Sequence, residues 1–553
     1  MLLSLNPEQL AASEAIDGNN VVIAGPGSGK TATLLQRHLK MLMRGIPQSD
    51  ILNLTFTNAA ACEMVERIGI LGADQVFRTF HSYAMDLLKR EKAHLPFRVE
   101  DTIIPDYGQD FQLLKDLLQT YPAITSFRSL KEKLSEWKCS NVDPDEAMEL
   151  AYHNGPDFFY AAAYKDYERK CREQGWLDFD SLMKETVKLL ENNDEVRIRN
   201  QRKYISVDEC QDTDIVQFRL LQLIYGGNIF VVGDENQLIY EWRSAQAGNL
   251  TNFTRVFPGA RTLYLGQNYR STKKLVEFFK KILPVDNGLA SHMVSEREIG
   301  VPPLITKFGD ELQEASVVLS RITDPDNSAI IARTNRQLLQ FQKMCLGRGM
   351  KSKILGRKNL WEQTEVAHLL RLAKVKEDDK RPAHVVLTEL IHQHNLAFLY
   401  RNSGGPMEKD PIENLNDMVK MSAKRGTVPE FLTWLRKLTY GSKANKRKTE
   451  PVLNLTTVHQ AKGREWKNVF VIGAQQGMMP HKDGELLEEH RIFFVACSRA
   501  ADMLEISFHG NRSQFLNDFQ EEIQVWQPKL EVSTENPPTK STKEILLSLN
   551  AGL

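Results

Sequence analysis

Short β-branched runs, each followed by apolar residues at helical spacing, recur along most of the chain. Val21–Ile23 precedes the helical pattern Thr31–Met43, Ile51–Thr55 precedes a helix from Ala59 to about Ile68, and Val76–Ser82 runs into a helix near Tyr83–Arg90. Strand-then-helix units in series predict a parallel sheet covered on both faces, an α/β fold. From about 92 to 174 the alternation stops and helical patterns dominate, which predicts a helical insertion. Its Phe158–Lys165 stretch mixes aromatic and basic residues and is read as helix core. The sheet resumes with Tyr204–Val207, running into Asp208–Asp212, and with the strand Asn228–Asp234.

The second half repeats this architecture. Thr262–Leu265, Pro303–Thr306, Ala329–Ala332 and Lys353–Leu355 read as strands, interleaved with helices near Leu275, Ala315, Leu339 and Val366. From 374 to about 450 the pattern is helical and polar. Its basic cluster, Lys443, Lys446, Arg447 and Lys448, is read as a solvated face, with nucleic-acid contact as the alternative. Val452–Thr457 and Val469–Ile472 return to strand, and a helix is expected from Glu485 to Ala500. The Ser/Thr/Pro/Lys-rich segment after about Glu531 reads as a flexible tail.

At 553 residues the chain is too long for one core. Lys+Arg and Asp+Glu both number 71, so no global basicity advertises nucleic acid, although a neutral protein can still line one groove with positive charge. The six cysteines include no Cys-x-x-Cys pair, which argues against a zinc site or a disulfide framework and fits a reducing cytosol. The N-terminus turns polar by Asn6 and no apolar run is long enough to span a bilayer, so a cytoplasmic location away from membranes is expected.

The densest chemistry lies in Ala24-Gly25-Pro26-Gly27-Ser28-Gly29-Lys30-Thr31, between a strand and a helix. Glycines there let successive backbone N–H groups face one concavity at a helix N-terminus, where phosphate is favoured. Lys30 is placed to reach the β- and γ-phosphates of a nucleotide and Thr31 to hold Mg²⁺. At the end of the Tyr204–Val207 strand, Asp208 and Glu209 are adjacent carboxylates suited to phosphoryl transfer, Asp208 for the metal and Glu209 for the attacking water. Gln237 is suited to sensing the γ-phosphate. Phe56 ends a strand at the edge where α/β sheets bind ligands. Tyr240 and Trp242 fall in a loop, as stacking platforms or as core.

In order along the chain these segments resemble the motifs of the UvrD/Rep/PcrA family of superfamily 1 DNA helicases. Leu5–Gln9 is similar to its adenine-reading segment, and Ala24–Thr31 to its form of the phosphate loop. Thr55-Phe56-Thr57-Asn58 and Thr79-Phe80-His81-Ser82 follow, then Gly175–Asp180, Asp208–Asp212 and Val231–Ala245. Asn268-Tyr269-Arg270-Ser271, Ala332–Asn335, Thr457–Trp466 and Glu488–Ala500 complete the set. The resemblance implies two RecA-like parallel-sheet domains with helical insertions. The first takes residues 1–91 and 175–265, interrupted by the insertion 92–174. The second takes 266–373 and 451–530, around a reduced accessory subdomain at 374–450, with a tail at 531–553.

It further implies ATP and Mg²⁺ as cofactors. Gln9, Arg37 and Tyr269 would hold the adenine, Glu465 the ribose, and Arg270 and Arg499 the γ-phosphate. Gln211 and Gln237 would relay cleft closure to Phe56, Asn58, His81, Tyr240, Trp242, Arg243 and His459, which would contact single-stranded DNA. Two positions depart from the family pattern: Ala59 stands where a lysine is usual and Arg464 where a leucine is common. The reading that follows is a 3′–5′ DNA translocase and helicase acting on single-stranded and tailed duplex DNA. The short accessory region motivates an alternative, a DNA-sensing ATPase that regulates a partner nuclease.

Overall fold

The computed structural model describes residues 5–527, apart from 70–73, 75, 96–108, 125, 153–154, 241–247, 357–358, 377, 397–398, 400–410 and 441–450. Six parallel strands form the first sheet: β1 (Asn19–Ala24), β2 (Ile51–Thr55), β3 (Phe77–Thr79), β4 (Arg202–Val207), β5 (Tyr225–Gly233) and β6 (Arg261–Leu265), in the order β3-β2-β4-β5-β1-β6. β1, one strand in from the edge, aligns Val21 with Val231 of β5 and Ala24 with Leu265 of β6. Successive strand side chains enter opposite cores, as the two-residue strand period requires. Val21, Leu52 and Leu54 join Tyr83, Leu87 and Leu220 on one face. Val22, Ile51 and Phe230 join Leu34 and Met41 on the other. Each such aliphatic or aromatic side chain contributes about 1.5–3 kcal/mol on burial.

A short parallel pair, β7 (Gln267–Asn268) and β8 (Val294–Ser295), follows. The second lobe holds β9 (Leu304–Lys307), β10 (Ser328–Ala332), β11 (Ser352–Ile354), β12 (Leu453–Thr457), β13 (Trp466–Val471), β14 (Ala500–Phe508) and β15 (Ile523–Val525). They are all parallel, in the order β11-β12-β10-β13-β14-β9-β15. Its core continues without a break from Ile330, Phe341 and Phe470 into Val386, Leu415, Met418 and Phe431 of the helices inserted between β11 and β12. The insertion of the first lobe has a core of its own, with Leu117, Leu130, Trp137, Tyr164 and Tyr167. The expected core role of Phe158–Lys165 is divided: Tyr164 is buried, whereas Phe158 and Phe159 are partly exposed.

The strands β7, β8, β14 and β15 have no counterpart in the sequence expectation, and two further boundaries near the cleft differ from it. The strand read as Val76–Ser82 stops at Thr79, because Thr79 caps the helix Phe80–Arg90: its Oγ1 accepts from Ser82 N and Ser82 Oγ accepts from Thr79 N, each at 3.1 Å. The helix read as Glu485–Ala500 is Leu486–Cys497, and Ala500 already begins β14. Ser498 Oγ and Arg499 Nε both donate to Val495 O, at 3.1 and 2.9 Å, and close the last turn. Arg499 therefore lies in the corner between helix and strand.

Because every strand of the first sheet is parallel, the segments after β1, β2, β4 and β5 open on one edge. The phosphate loop, Phe56, the Asp208–Glu209 pair and Gln237 are collected there, as ligand-binding groups are in open α/β sheets. The basic cluster at 443–448 and the tail at 531–553 lie outside the described residues. Among the described residues no helix is long and apolar enough to cross a membrane.

Candidate nucleotide and nucleic-acid site

The phosphate loop is a turn that only glycine can complete at two points. Gly27 and Gly29 have φ of +68° and +80°, and a Cβ on either would come within 2.7 Å of Arg270 Cβ or Gln9 Nε2 respectively. Those neighbours show what closes over the loop. Gln9 Nε2 donates to Ser28 O at 2.9 Å, and Gln9 is itself held by a reciprocal cap with Asn6. Asn268 Nδ2 donates to Pro26 O at 2.8 Å and Tyr269 N to Gly27 O at 2.9 Å. Tyr269, 47% exposed, lies with its hydroxyl 3.5 Å from Gln9 Oε1 and leaves a ring face open beside the loop. Gly25 N donates to Leu265 O and Ser28 Oγ to Gly25 O, so Ala24–Thr31 is braced from beneath before the helix Lys30–Met43 begins.

Opposite Lys30 stand the carboxylates. Lys30 Nζ is 3.7 Å from Glu209 Oε1, and Glu209 has φ +51°, a left-handed conformation held at a cost by a residue with a side chain. From Glu209 a line of hydrogen bonds crosses the cleft. Gln211 Nε2 donates to Glu209 Oε2 at 2.6 Å, and Gln211 Oε1 accepts from Asp234 N at 3.0 Å. Gln237 Nε2 donates to Asp234 Oδ2 at 2.7 Å, and Gln237 Oε1 accepts from Arg499 Nη2 of the second lobe at 3.2 Å. Arg270 stands next to this line, its Nε 2.5 Å from Glu465 Oε2 and its Nη1 donating to Ser498 O at 3.0 Å.

Charge in the cleft is only partly compensated. Burial, and then the Glu209 carboxylate, push the Asp208 carboxyl up to about 7 against the pull of Lys30. Asp212 is pushed up to about 6, mainly by burial. Burial and the repulsion of Arg270 bring the Arg499 guanidinium down to about 9. Crowded, desolvated carboxylates of this kind favour a bound cation. The hydroxyl of Thr31 and the carboxylate of Asp208 are hard oxygen donors that suit Mg²⁺, which keeps waters and takes phosphate oxygens and so needs few protein ligands. No cluster of three or more His, Cys, Asp or Glu with metal-binding geometry occurs among the described residues.

The aromatic residues lie farther along the same edge. Phe56 and Tyr240 stack with centroids 5.7 Å apart and planes at 21°. Tyr240 lies 6.1 Å from the His459 ring, and its hydroxyl donates to His459 O at 3.2 Å. Burial, and then Arg333, push the His459 imidazole down to about 4, so it is neutral at pH 7. Asn58 is exposed at the start of its helix, and His81 meets Phe179 edge-on at 5.7 Å. Trp242 and Arg243 lie outside the described residues.

Arg37 departs from the expectation that it holds the adenine. Its guanidinium is wholly buried beneath the sheet, donating to Ile16 O, Ala15 O and Ser206 Oγ at 3.0, 3.3 and 2.9 Å and lying over the Phe230 ring. It ties the first helix to the sheet and presents nothing to the cleft. Lys462, to which the sequence reading assigned no role, bridges the lobes instead. Its ammonium donates to both Asp212 oxygens at 2.7 and 2.6 Å and to Gln237 O at 2.7 Å, 5.0 Å from the Tyr240 ring. Its position three residues after His459 in one short segment was the only available signal.

Two α/β lobes that share a phosphate loop, paired carboxylates and arginines across a cleft define a nucleotide-driven motor. The chain belongs to the UvrD/Rep helicase family, and by that membership is an ATP-dependent DNA helicase. Residues 5–258 match the UvrD/Rep helicase N-terminal domain, and residues 263–390 and 392–511 match the UvrD-like helicase C-terminal domain. The chain is 27% identical to DNA helicase II of Escherichia coli (strain K12), over 97% of this chain and 90% of that protein. It is 26% identical to ATP-dependent DNA helicase PcrA of Bacillus subtilis (strain 168), over 93% of this chain and 84% of that protein.

Proposed function

We propose that the chain moves along single-stranded DNA in the 3′–5′ direction and separates the duplex ahead of it, drawing on ATP hydrolysis in the cleft. The observation that supports this best is the unbroken line from Lys30 through Glu209, Gln211, Asp234 and Gln237 to Arg499. Gln237 lies three residues before Tyr240, the ring that stacks on Phe56. A change of cleft width is therefore felt at the aromatic face through side chains already in contact.

In this reading Gln9 and Tyr269 orient the base, the backbone of Gly25–Gly29 and Lys30 hold the phosphates, and Glu209 orients the attacking water. Thr31 and Asp208 would hold Mg²⁺, which would supply charge neutralisation at the phosphates. Arg270 and Arg499 meet the γ-phosphate from the far side, and arginines so placed accelerate phosphoryl transfer by roughly 10³–10⁵ in comparable enzymes. Glu465, now bound to Arg270, exchanges that guanidinium for the ribose as the nucleotide enters. Phe56, Tyr240 and His459 hold the strand, aromatic stacking contributing about 1–3 kcal/mol per base. The alternating grip of two lobes then carries the strand one way.

The test is strand separation by the isolated chain on duplexes with 3′ or 5′ single-stranded tails, with Glu209→Gln as the inactive control. Unwinding of the 3′-tailed substrate alone is expected. DNA-stimulated ATP hydrolysis with no separation of either substrate would replace this reading with that of a DNA-sensing ATPase.

A further inference from the structure

The two arginines assigned to the γ-phosphate come from separate segments. Arg270 follows β7 in the connector between the lobes, whereas Arg499 stands in the corner between the helix Leu486–Cys497 and β14. Hydrogen bonds stitch the two segments together. Arg270 Nη1 donates to Ser498 O at 3.0 Å, Ser271 Oγ to Ala500 O at 2.6 Å and Thr272 N to Ala501 O at 3.1 Å.

A third arginine spans this seam. Arg297 follows β8, and its Nη1 donates both to Arg270 O and to Ala501 O, the latter at 3.3 Å. From behind, its Nη2 donates to Asp502 Oδ1 at 2.8 Å and to Glu298 Oε1 at 2.6 Å. The backbone that leads to it is held as well, because Ser295 Oγ donates to Ser271 O at 2.7 Å and accepts from Arg297 N at 3.2 Å. A guanidinium is a rigid planar fork, so carboxylates on one side of it fix the positions of the two carbonyls on the other. One of those carbonyls belongs to Arg270 itself, and the other lies on the strand that Arg499 leads into.

We propose that Arg297 is a positioning residue, which locks the Arg270 and Arg499 segments into one block so that both guanidiniums reach the γ-phosphate together. This rests on the assignment of Arg270 and Arg499 to the γ-phosphate made above. Groups that stabilise transition-state charge work only within narrow distance limits, and a displacement of about 1 Å costs up to about 100-fold in rate. A loosened seam therefore slows the chemical step and leaves nucleotide binding, supplied by the phosphate loop and the base contacts, as it was.

The test is steady-state DNA-stimulated ATP hydrolysis by the full chain, with kcat and the KM for ATP resolved. Arg270→Ala and Arg499→Ala come first: if neither lowers kcat, the γ-phosphate assignment falls and this inference with it. Given that loss, Arg297→Ala is expected to lower kcat by about 10- to 100-fold with the KM for ATP unchanged. Asp502→Asn, which loosens the fork from behind, is expected to lower kcat about twofold to fivefold through one weakened hydrogen bond. In an Arg297→Ala background the same change is expected to add nothing. Arg297→Ala with kcat within twofold of wild type overturns the inference, and so does a loss carried by KM alone. If Arg297→Ala fails to fold, Asp502→Asn decides: a lowered kcat at unchanged KM supports the inference, and an unchanged kcat overturns it. An Asp502→Asn effect of equal size in both backgrounds also overturns it, since Asp502 then acts by a route that bypasses Arg297.

Discussion

At the junction of insertion and first lobe, Asp178 is withdrawn from water, yet Lys138 holds its carboxyl below the ordinary aspartate range. At the nucleotide cleft, Asp208 is also withdrawn from water and is pushed up to about 7. Residue type and low polarity are common to both, and partners make the difference. Lys138 meets Asp178 and Glu168 at hydrogen-bonding distance, whereas the nearest cation to the Asp208–Glu209 pair, Lys30, is 3.7 Å from Glu209 alone. Charge buried for architecture is matched within the chain. The Asp208 carboxyl is left to be matched by a ligand, which is what lets the site respond to one.

The contrast can be broken most directly at Arg499. Arg499→Ala is expected to lower DNA-stimulated ATP turnover by roughly 10³–10⁵ while leaving the melting temperature unchanged or higher; steady-state kinetics and calorimetry check this. A variant that unfolds would place Arg499 with the matched charges. At the other cluster, Lys138→Met leaves two carboxylates unpaired and is expected to cost about 3–5 kcal/mol of stability in urea denaturation. Retention of full stability would remove the distinction drawn here.

A pH profile sharpens the comparison. The folded carboxyl of Asp208 titrates near 7 against an ordinary value of 3.8, so between these limits the folded chain binds protons that the unfolded chain has released. Its contribution makes metal-free stability fall as pH rises from about 4 to 7, and Asp212, raised to about 6, acts with the same sign. Asp208→Asn is expected to flatten this slope, by on the order of 3 kcal/mol at most, in urea melts run in chelator at pH 5 and pH 7. Asp178, shifted downward, contributes no loss in that window.

Smaller effects separate the strand face from the nucleotide pocket. Phe56→Ala is expected to weaken single-stranded DNA binding by about 1–3 kcal/mol with the KM for ATP unchanged, in titrations with a labelled oligonucleotide. Gln9→Ala is expected to raise the KM for ATP about fivefold to tenfold through a lost hydrogen bond. Arg37→Lys should leave the KM for ATP unchanged and lower stability alone, since the Arg37 guanidinium is spent on Ile16, Ala15, Ser206 and Phe230.

Much of the first lobe could be read along the chain. β1 and β5 carry unbroken apolar runs, Val21–Ala24 and Ile229–Val232, and β2 and β4 are interrupted at their centres only by the buried Asn53 and Ser206, because both faces are covered; an apolar run bounded by turn residues is a local signal. β14 was hidden because Val495–Leu504 also suits helical spacing; pairing with β13, and the capture of the Val495 carbonyl by Ser498 and Arg499, end the helix. Arg37 was misread because its role was carried over from the resemblance, while the choice of helix face depends on packing that the linear pattern does not state.

The sequence by itself determined the groups whose chemistry is local. Gly27, Gly29, Lys30 and Thr31 act through one continuous backbone turn, and Asp208 and Glu209 through the end of one strand, so spacing alone identifies them. Tertiary structure alone decided which distant residues answer them. Arg499 meets Gln237, Lys462 meets Asp212 and Lys138 meets Asp178 across separations of 262, 250 and 40 positions. Hydrogen bonds and desolvation act over a few ångströms in space, and only packing of the lobes and the insertion brings such positions within that range.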